Sequence, residues 1–318
     1  MFIKLLDWIN NSDIYNLDFY KLSTNINSID FLRLNYNNID WNELSKNPNA
    51  IELLRENPEK INWYNLSGNE NAIELLKENP DKINWSKLSQ NCNAIDLLKE
   101  NQDKINWSKL SQNRNAIELL KKNIKKINWD RFCYNPNCIE LCKKYPRKIN
   151  WNILSLNPNA IELLKENLDK INWLFLCRNH NAISILEANQ HKINWLYLSD
   201  NPNAIDLLEK NQDKLNWSIL SSNKNAIKLL EKNQDKINWN NLSANENAIH
   251  ILEQNKNKIN WNILSDNINI FKYDYNEIKE SRIKFNEEII AKALHPKRIF
   301  KLIEKYGEDE IYNIYFEE

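Results

Sequence analysis

The chain has 318 residues, with 43 basic and 43 acidic side chains, so its formal net charge is zero. That balance argues against a nucleic-acid protein, which carries a basic excess, and no apolar run approaches the ~18 residues of a membrane span. The only glycines are Gly68 and Gly307, too few for Gly-rich phosphate loops, collagen or flexible Gly linkers.

The N-terminal MFIKLLDWINNSD has one early lysine and a short apolar stretch broken by Asp7. It lacks the apolar region and small-residue cleavage site of a signal peptide. Residues 1–18 are expected to form an N-terminal cap, with Trp8 covering the open apolar face of the first repeat.

From residue 19 onward one period governs the chain. Eleven tryptophans, Trp41 through Trp261, recur every 22 residues, and Phe19 holds the preceding register. Numbered from its Trp, a unit reads W-x-x-L-S-x-N-x-N-A-I-E-L-L-K-E-N-x-D-K-I-N. The Asn at position 22 is an N-cap for a short helix A, whose Trp, Leu and Ser at positions 1, 4 and 5 share a face. Positions 2, 3 and 6 point away from that face. The Asn at position 7 caps helix B, with Pro following it at Pro48, Pro136, Pro158 and Pro202. Positions 10, 11, 13 and 14 form the apolar face of helix B. The Asn at position 17 suits a left-handed helix terminus.

Helices this short are marginal alone, so stacking must stabilise them. The fold expected is all-α: an α-solenoid of about twelve 22-residue two-helix repeats over residues 19–269, with N- and C-terminal caps. At helix spacings of ~8–10 Å it would form an arc on the order of 100 Å long. A leucine-rich repeat shares the period, but the unit lacks the alternating L-x-L strand signature, and AIELLKE is a strong helix former. Residues 270–318 change character. FNEEIIAKAL and HPKRIFKLIEKYG read as two helices of a C-terminal cap, the second starting at Pro296 and ending at Gly307.

The unit INWxxLSxNPNAIELLKEN resembles a short repeat in proteins of large amoeba-infecting DNA viruses of the mimivirus kind. The resemblance covers about residues 17–269, and ALHPKRIFKLIEKYG is similar to the C-terminal segment of such proteins. It implies a viral origin and a repeat scaffold, and it brings no catalytic residue.

The candidate sites follow from departures from the consensus. Early units carry polar residues at positions 2 and 3, such as Asn42, Glu43, Ser86 and Lys87. Later units carry Ile153, Leu174, Phe175, Leu196, Tyr197, Ile219 and Ile263 there, with Leu156 and Tyr134 at position 6. Stacking sets these side by side as an exposed apolar patch, the mark of an interaction site. The position-20 lysines, Lys60 to Lys258, line one edge, diluted by neighbouring aspartates into a solvated stripe. The Trp column reads as core, and the Asn columns as caps and inter-unit hydrogen bonds. Five cysteines without paired spacing suit a reducing compartment. Cys133, Cys138, Cys142 and Cys177 read as buried small hydrophobes, and with His180 and His191 they lack zinc-site spacing. No catalytic motif, metal site or cofactor site emerges, so no cofactor is expected.

The chain is therefore expected to be a non-catalytic scaffold or adaptor that binds a protein partner through helix A, in the cytoplasm of a host cell or in a virion, and not secreted. A self-assembling structural component of a virion or viral factory is the alternative. Nucleic-acid binding along the lysine edge stands third, and no membrane insertion is expected.

Overall fold

A computed structural model describes residues 3–308 and Ile311. It is an all-α solenoid of twelve 22-residue units, beginning at Phe19 and then at each Trp from Trp41 to Trp261. Helix A spans four residues in most units and helix B five or six. Unit 4 is representative, with helix A at Trp85–Leu88, a 3-10 turn at Cys92–Ala94, helix B at Ile95–Glu100 and a second turn at Gln102–Lys104.

Local hydrogen bonds explain these limits. The Asn84 carboxamide oxygen accepts the Lys87 N–H at 2.9 Å and starts helix A. Ser89 Oγ donates to the Trp85 carbonyl at 2.7 Å, and the same oxygen accepts the Asn106 N–H at 3.0 Å. One serine thus ties the end of helix A to the end of its own unit. The Asn91 side chain accepts the Asn93 N–H at 2.9 Å, so it caps a 3-10 turn that leads into helix B. At position 17 the expected left-handed residue is absent. Asn101 has φ −125° and closes helix B by donating from Nδ2 to the Leu97 carbonyl, four residues back, at 3.0 Å. Among the described residues no non-glycine has positive φ.

The expected inter-unit bonds of the asparagine columns are present. Asn69 Nδ2 donates to the carbonyls of Ser45 and Asn47 in the preceding unit, at 3.2 and 2.9 Å. Asn71 Nδ2 donates to the preceding unit's Pro48 carbonyl at 2.9 Å. Position 7 is buried in every unit, so its amide satisfies carbonyls that water cannot reach. The apolar core runs alongside. Leucines at positions 4 and 14, such as Leu88 and Leu98, are fully buried, as is Ala94 at position 10.

The tryptophans, expected in the core, are only half-buried. In most units the position-20 lysine of the same unit lies over the indole, as with Lys82 over Trp63 at 4.4 Å and Lys126 over Trp107 at 4.3 Å. The indole covers the leucine core with one part of its surface and holds an ammonium with the other, a favourable cation–π arrangement.

The ends of the array do not form an open arc. By contacts among the described residues the chain divides into two compact units, the larger being Leu5–Phe271. Within it, repeat 1 uses repeat 12 as its predecessor. Asn25 Nδ2 donates to the carbonyls of Ser265 and Asn267, both at 3.2 Å, and Asn27 Nδ2 to that of Ile268 at 3.0 Å. Asp18 N–H donates to Ser265 Oγ at 2.8 Å, where the Ser–Asn bond sits in other units. Lys21 pairs with Asp266 at 2.8 Å. The inter-unit bonds of positions 7 and 9 and the bond to the position-5 serine all recur at this seam, so the larger unit is a closed ring. Twelve units close a circle at about 30° per unit, a small rotation of the kind that sets solenoid curvature.

The N-terminal segment makes the closure, which corrects the cap expected over residues 1–18. Repeat 12 supplies helix A, Trp261–Leu264, and its chain then departs at β2, Phe271–Tyr273. The rest of that repeat comes from the other end of the sequence. Strand β1, Ile3–Leu5, pairs with β2, and Leu6 N–H donates to the Ile270 carbonyl at 2.9 Å. Counting back from Phe19 gives Ile9 position 13, Leu17 position 21 and Asp18 position 22. Ile9 and Leu17 are buried like the residues they replace, and Asp18 caps helix A of repeat 1 by accepting the Tyr20 N–H at 3.0 Å. The aromatic partner of the Trp8 ring is in repeat 12. Trp8 packs on Trp261 with ring centroids 6.2 Å apart, and Lys256 Nζ donates to the Trp8 carbonyl at 2.8 Å.

Repeat 6, Trp129–Asn150, departs most from the consensus. Phe132 replaces the core leucine and is fully buried, beside buried Cys133, Cys138 and Cys142 at consensus Ser, Ala and Leu positions. Its ring meets Trp129 edge-on at 5.5 Å, and Tyr145 covers that indole at 5.6 Å, in the role lysine has elsewhere. The large and small substitutions compensate in volume. We expect Phe132→Leu to cost about 1–2 kcal/mol through a cavity, and adding Cys142→Leu to recover part of that loss in thermal melts. Additive effects of the two changes would show that the residues do not share one packing site.

Among the described residues the smaller compact unit comprises residues 3–4 and 272–308 with Ile311, and the remainder of the expected 270–318 cap lies outside the described residues. Its helices are Tyr275–Ala293, longer than its sequence pattern indicated, and Pro296–Tyr306, which starts at Pro296 and ends at Gly307 with φ 93°.

Candidate protein-binding band on helix A

Helix A lasts one turn, so positions 2 and 3 meet the neighbouring units as well as solvent. Asn65 at position 3 donates to the carbonyl of Asn42, position 2 of the preceding unit, at 2.9 Å, and Asn241 bonds Ser218 in the same way at 2.7 Å. Arg131 at position 3 reaches Gln112, position 6 of the preceding unit, at 3.3 Å. A position-3 side chain therefore lies between positions 2 and 6 of the unit before it. This register sets Phe175 beside Leu156, Tyr197 beside Leu174 and Ile219 beside Leu196.

The expected patch is present in altered form. Leu174 and Leu196 are exposed, at 38% and 42%, whereas Ile153, Leu156, Phe175, Tyr197 and Ile219 are half-buried. Position 3 was expected to point into solvent, but the preceding unit flanks it and covers part of it. The residues form two clefts instead of one flat patch. Leu196, Tyr197 and Ile219 line a cleft of about 290 Å³ with Arg178, Asp200, Ser222 and Asn241. Tyr134 and Leu156 line another of about 410 Å³ with Arg178, His180 and Asp200. Arg178 and Asp200 are common to both clefts. They approach within 3.9 Å, and the guanidinium lies 5.9 Å from the centre of the Tyr197 ring. Ile153, Leu174 and Phe175 line neither cleft.

The same helix-A register elsewhere is mostly polar, with Tyr20, Tyr64 and Ile263 as isolated exceptions. Asn42, Asn62 and Asn65 bond one another across repeats 2 and 3, and Glu43 binds Lys46 at 2.6 Å. The apolar band belongs to repeats 6–10.

Other sequence candidates are absorbed by structure. The lysine edge is not a row of free ammonium groups, because Lys60, Lys82, Lys104, Lys126, Lys170, Lys192, Lys214, Lys236 and Lys258 each lie 4.3–5.0 Å from the centre of a Trp ring. All five cysteines are free thiols. Hydrogen bonding with Cys142, and then burial, push the Cys133 thiol far above the usual range. At Cys142 the bond with Cys133 pulls downward, but the bond with Cys138 and burial outweigh it and push the thiol up to about 12. Burial also raises Cys177. These thiols stay protonated at neutral pH, the state least suited to nucleophilic or metal chemistry. Among the described residues no cluster of His, Cys, Asp and Glu has the geometry to hold a metal ion, and no helix is long and apolar enough to cross a membrane.

Sequence reasoning missed the apolar exposure outside the ring. Phe285 and Phe300, at 61% and 66%, are the most exposed phenylalanines among the described residues. The signal was present in HPKRIFKLIEKYG, whose apolar residues fall on one helical face.

No family model, curated protein or solved structure matches the chain.

Proposed function

We propose that this protein is a non-catalytic scaffold that binds a protein partner through the helix-A band of repeats 6–10. The observation that carries the reading is the pair of clefts joined at Arg178 and Asp200, one lined by Leu196, Tyr197 and Ile219 and the other by Tyr134 and Leu156, where apolar side chains run through consecutive repeats. Clefts lined by aliphatic and aromatic side chains, with a few fixed polar groups, suit the anchor residues of a partner. The ladder of hydrogen bonds supports a stiff platform, which lowers the ordering cost of association. The resemblance of the repeat to those of giant DNA viruses supports a setting in an infected cell or a virion. Pinning of the lysines over indoles disfavours a phosphate track along that edge.

Leu174→Asp with Leu196→Asp is the appropriate test pair, because both side chains are exposed and their loss leaves the ring core intact. We expect the wild type to retain a partner from native lysate that the double variant loses, with affinity reduced about 100-fold or more, while thermal stability changes by less than about 1 kcal/mol. Equal recovery by both proteins would remove the band as the binding surface.

A further inference from the structure

The helix Pro296–Tyr306 separates its residue types cleanly. At 100° per residue, Ile299, Leu302, Ile303 and Tyr306 fall on one side with Phe300 at its border, and Lys297, Arg298, Lys301 and Lys305 fall on the other, where Glu304 is the only acid. Ile299, Leu302 and Ile303 are half-buried, but Phe300 is 66% exposed and Tyr306 50% exposed, so burial among the described residues does not account for these two rings. Beside it lies a cleft of about 650 Å³ lined by Lys292, His295, Lys297, Arg298, Lys301 and Leu302. The preceding helix adds Phe285 and Ile290, 61% and 55% exposed. A compact basic cluster therefore borders exposed aromatic and aliphatic side chains in a protein whose net charge is zero.

The geometry points to a docking surface for an anionic phospholipid bilayer, with this helix lying in the headgroup plane. Phe300 and Tyr306 enter the acyl boundary, and Lys297, Arg298 and Lys301 meet lipid phosphates. The helix is 11 residues long, far short of a span, and it rests on the surface without crossing. Charge complementarity selects an anionic surface. The exposed phenylalanine selects a bilayer over a nucleic acid or other soluble polyanion, which the cations alone would bind. This attachment is independent of the helix-A band.

The test is co-sedimentation of the full chain with phosphatidylcholine vesicles, with and without phosphatidylserine. The expected result is sedimentation only with phosphatidylserine, weakening as salt rises. Lys297→Glu with Lys301→Glu is expected to reduce binding about 30-fold or more, and Phe300→Ser about tenfold. Both variants should melt like the wild type. Absence of binding to phosphatidylserine vesicles, or equal binding to pure phosphatidylcholine, would overturn the proposal. So would binding unaffected by Phe300→Ser, or displacement from the vesicles by a short DNA duplex, either of which would mark a general polyanion site.

Discussion

Replacing Asn25 with alanine is expected to destabilise the protein as much as replacing Asn113, by about 2–4 kcal/mol each. Asn113 sits mid-array, and its amide donates to the Ser89 and Asn91 carbonyls at 3.2 and 2.9 Å. Asn25 lies in the first repeat and makes the same pair of bonds to Ser265 and Asn267, 240 and 242 residues away. Either substitution leaves two buried carbonyls unpaired and removes a cap. In an open stack Asn25 would have no predecessor, and its loss would cost only the cap, about 1 kcal/mol. Urea unfolding of the two variants separates the cases. Asn25→Ala with less than half the effect of Asn113→Ala would refute the ring.

Removal of residues 1–17 is expected to open the ring, with a loss of about 5 kcal/mol or more from the burial of Trp8, Ile9 and Leu17. The consequence extends beyond stability. The freed surface of repeat 12 complements the freed surface of repeat 1, and complementary ends on one chain join head to tail between copies. The truncated protein should therefore show a larger radius by X-ray scattering and form concentration-dependent oligomers in sedimentation. A single change has the same sense. Leu17→Asp buries a carboxylate where the other units carry an aliphatic side chain, and it should loosen the seam more than the rest of the ring in hydrogen exchange. A compact monomer after truncation would show that the segment is an appendage and not the missing part of repeat 12.

The architecture was largely legible because one unit's chemistry repeats. The asparagines at positions 7 and 22 are caps for local reasons, and recurrence of Leu88 and its equivalents, with Phe132 the one replacement, marks the buried column. The helix-A band was legible as a list of residues but not as a surface. Polarity along one helix places Phe175 and Tyr197 outside, yet the preceding repeat half-covers them. The placement of the edge lysines over the indoles was hidden for a related reason. Lys126 and Trp107 are 19 residues apart, and only the folded return of the unit puts the ammonium over the ring.

The role of residues 1–18 was hidden more deeply. Their sequence departs from the consensus, so periodicity assigns them to no repeat, and Trp8 in isolation reads as a lid for the nearest repeat. By itself the sequence determined the unit, its caps, its core column and the count of twelve, because these depend on contacts within 22 residues and on an identical contact with the next unit. Only the tertiary structure decided that the stack closes, which half-repeat the N-terminus completes and which apolar side chains remain in solvent. Closure depends on a rotation of about 30° per unit. That angle arises from side-chain volumes at each interface and accumulates around the ring, whereas the pattern of polar and apolar residues is the same for a straight stack and a curved one.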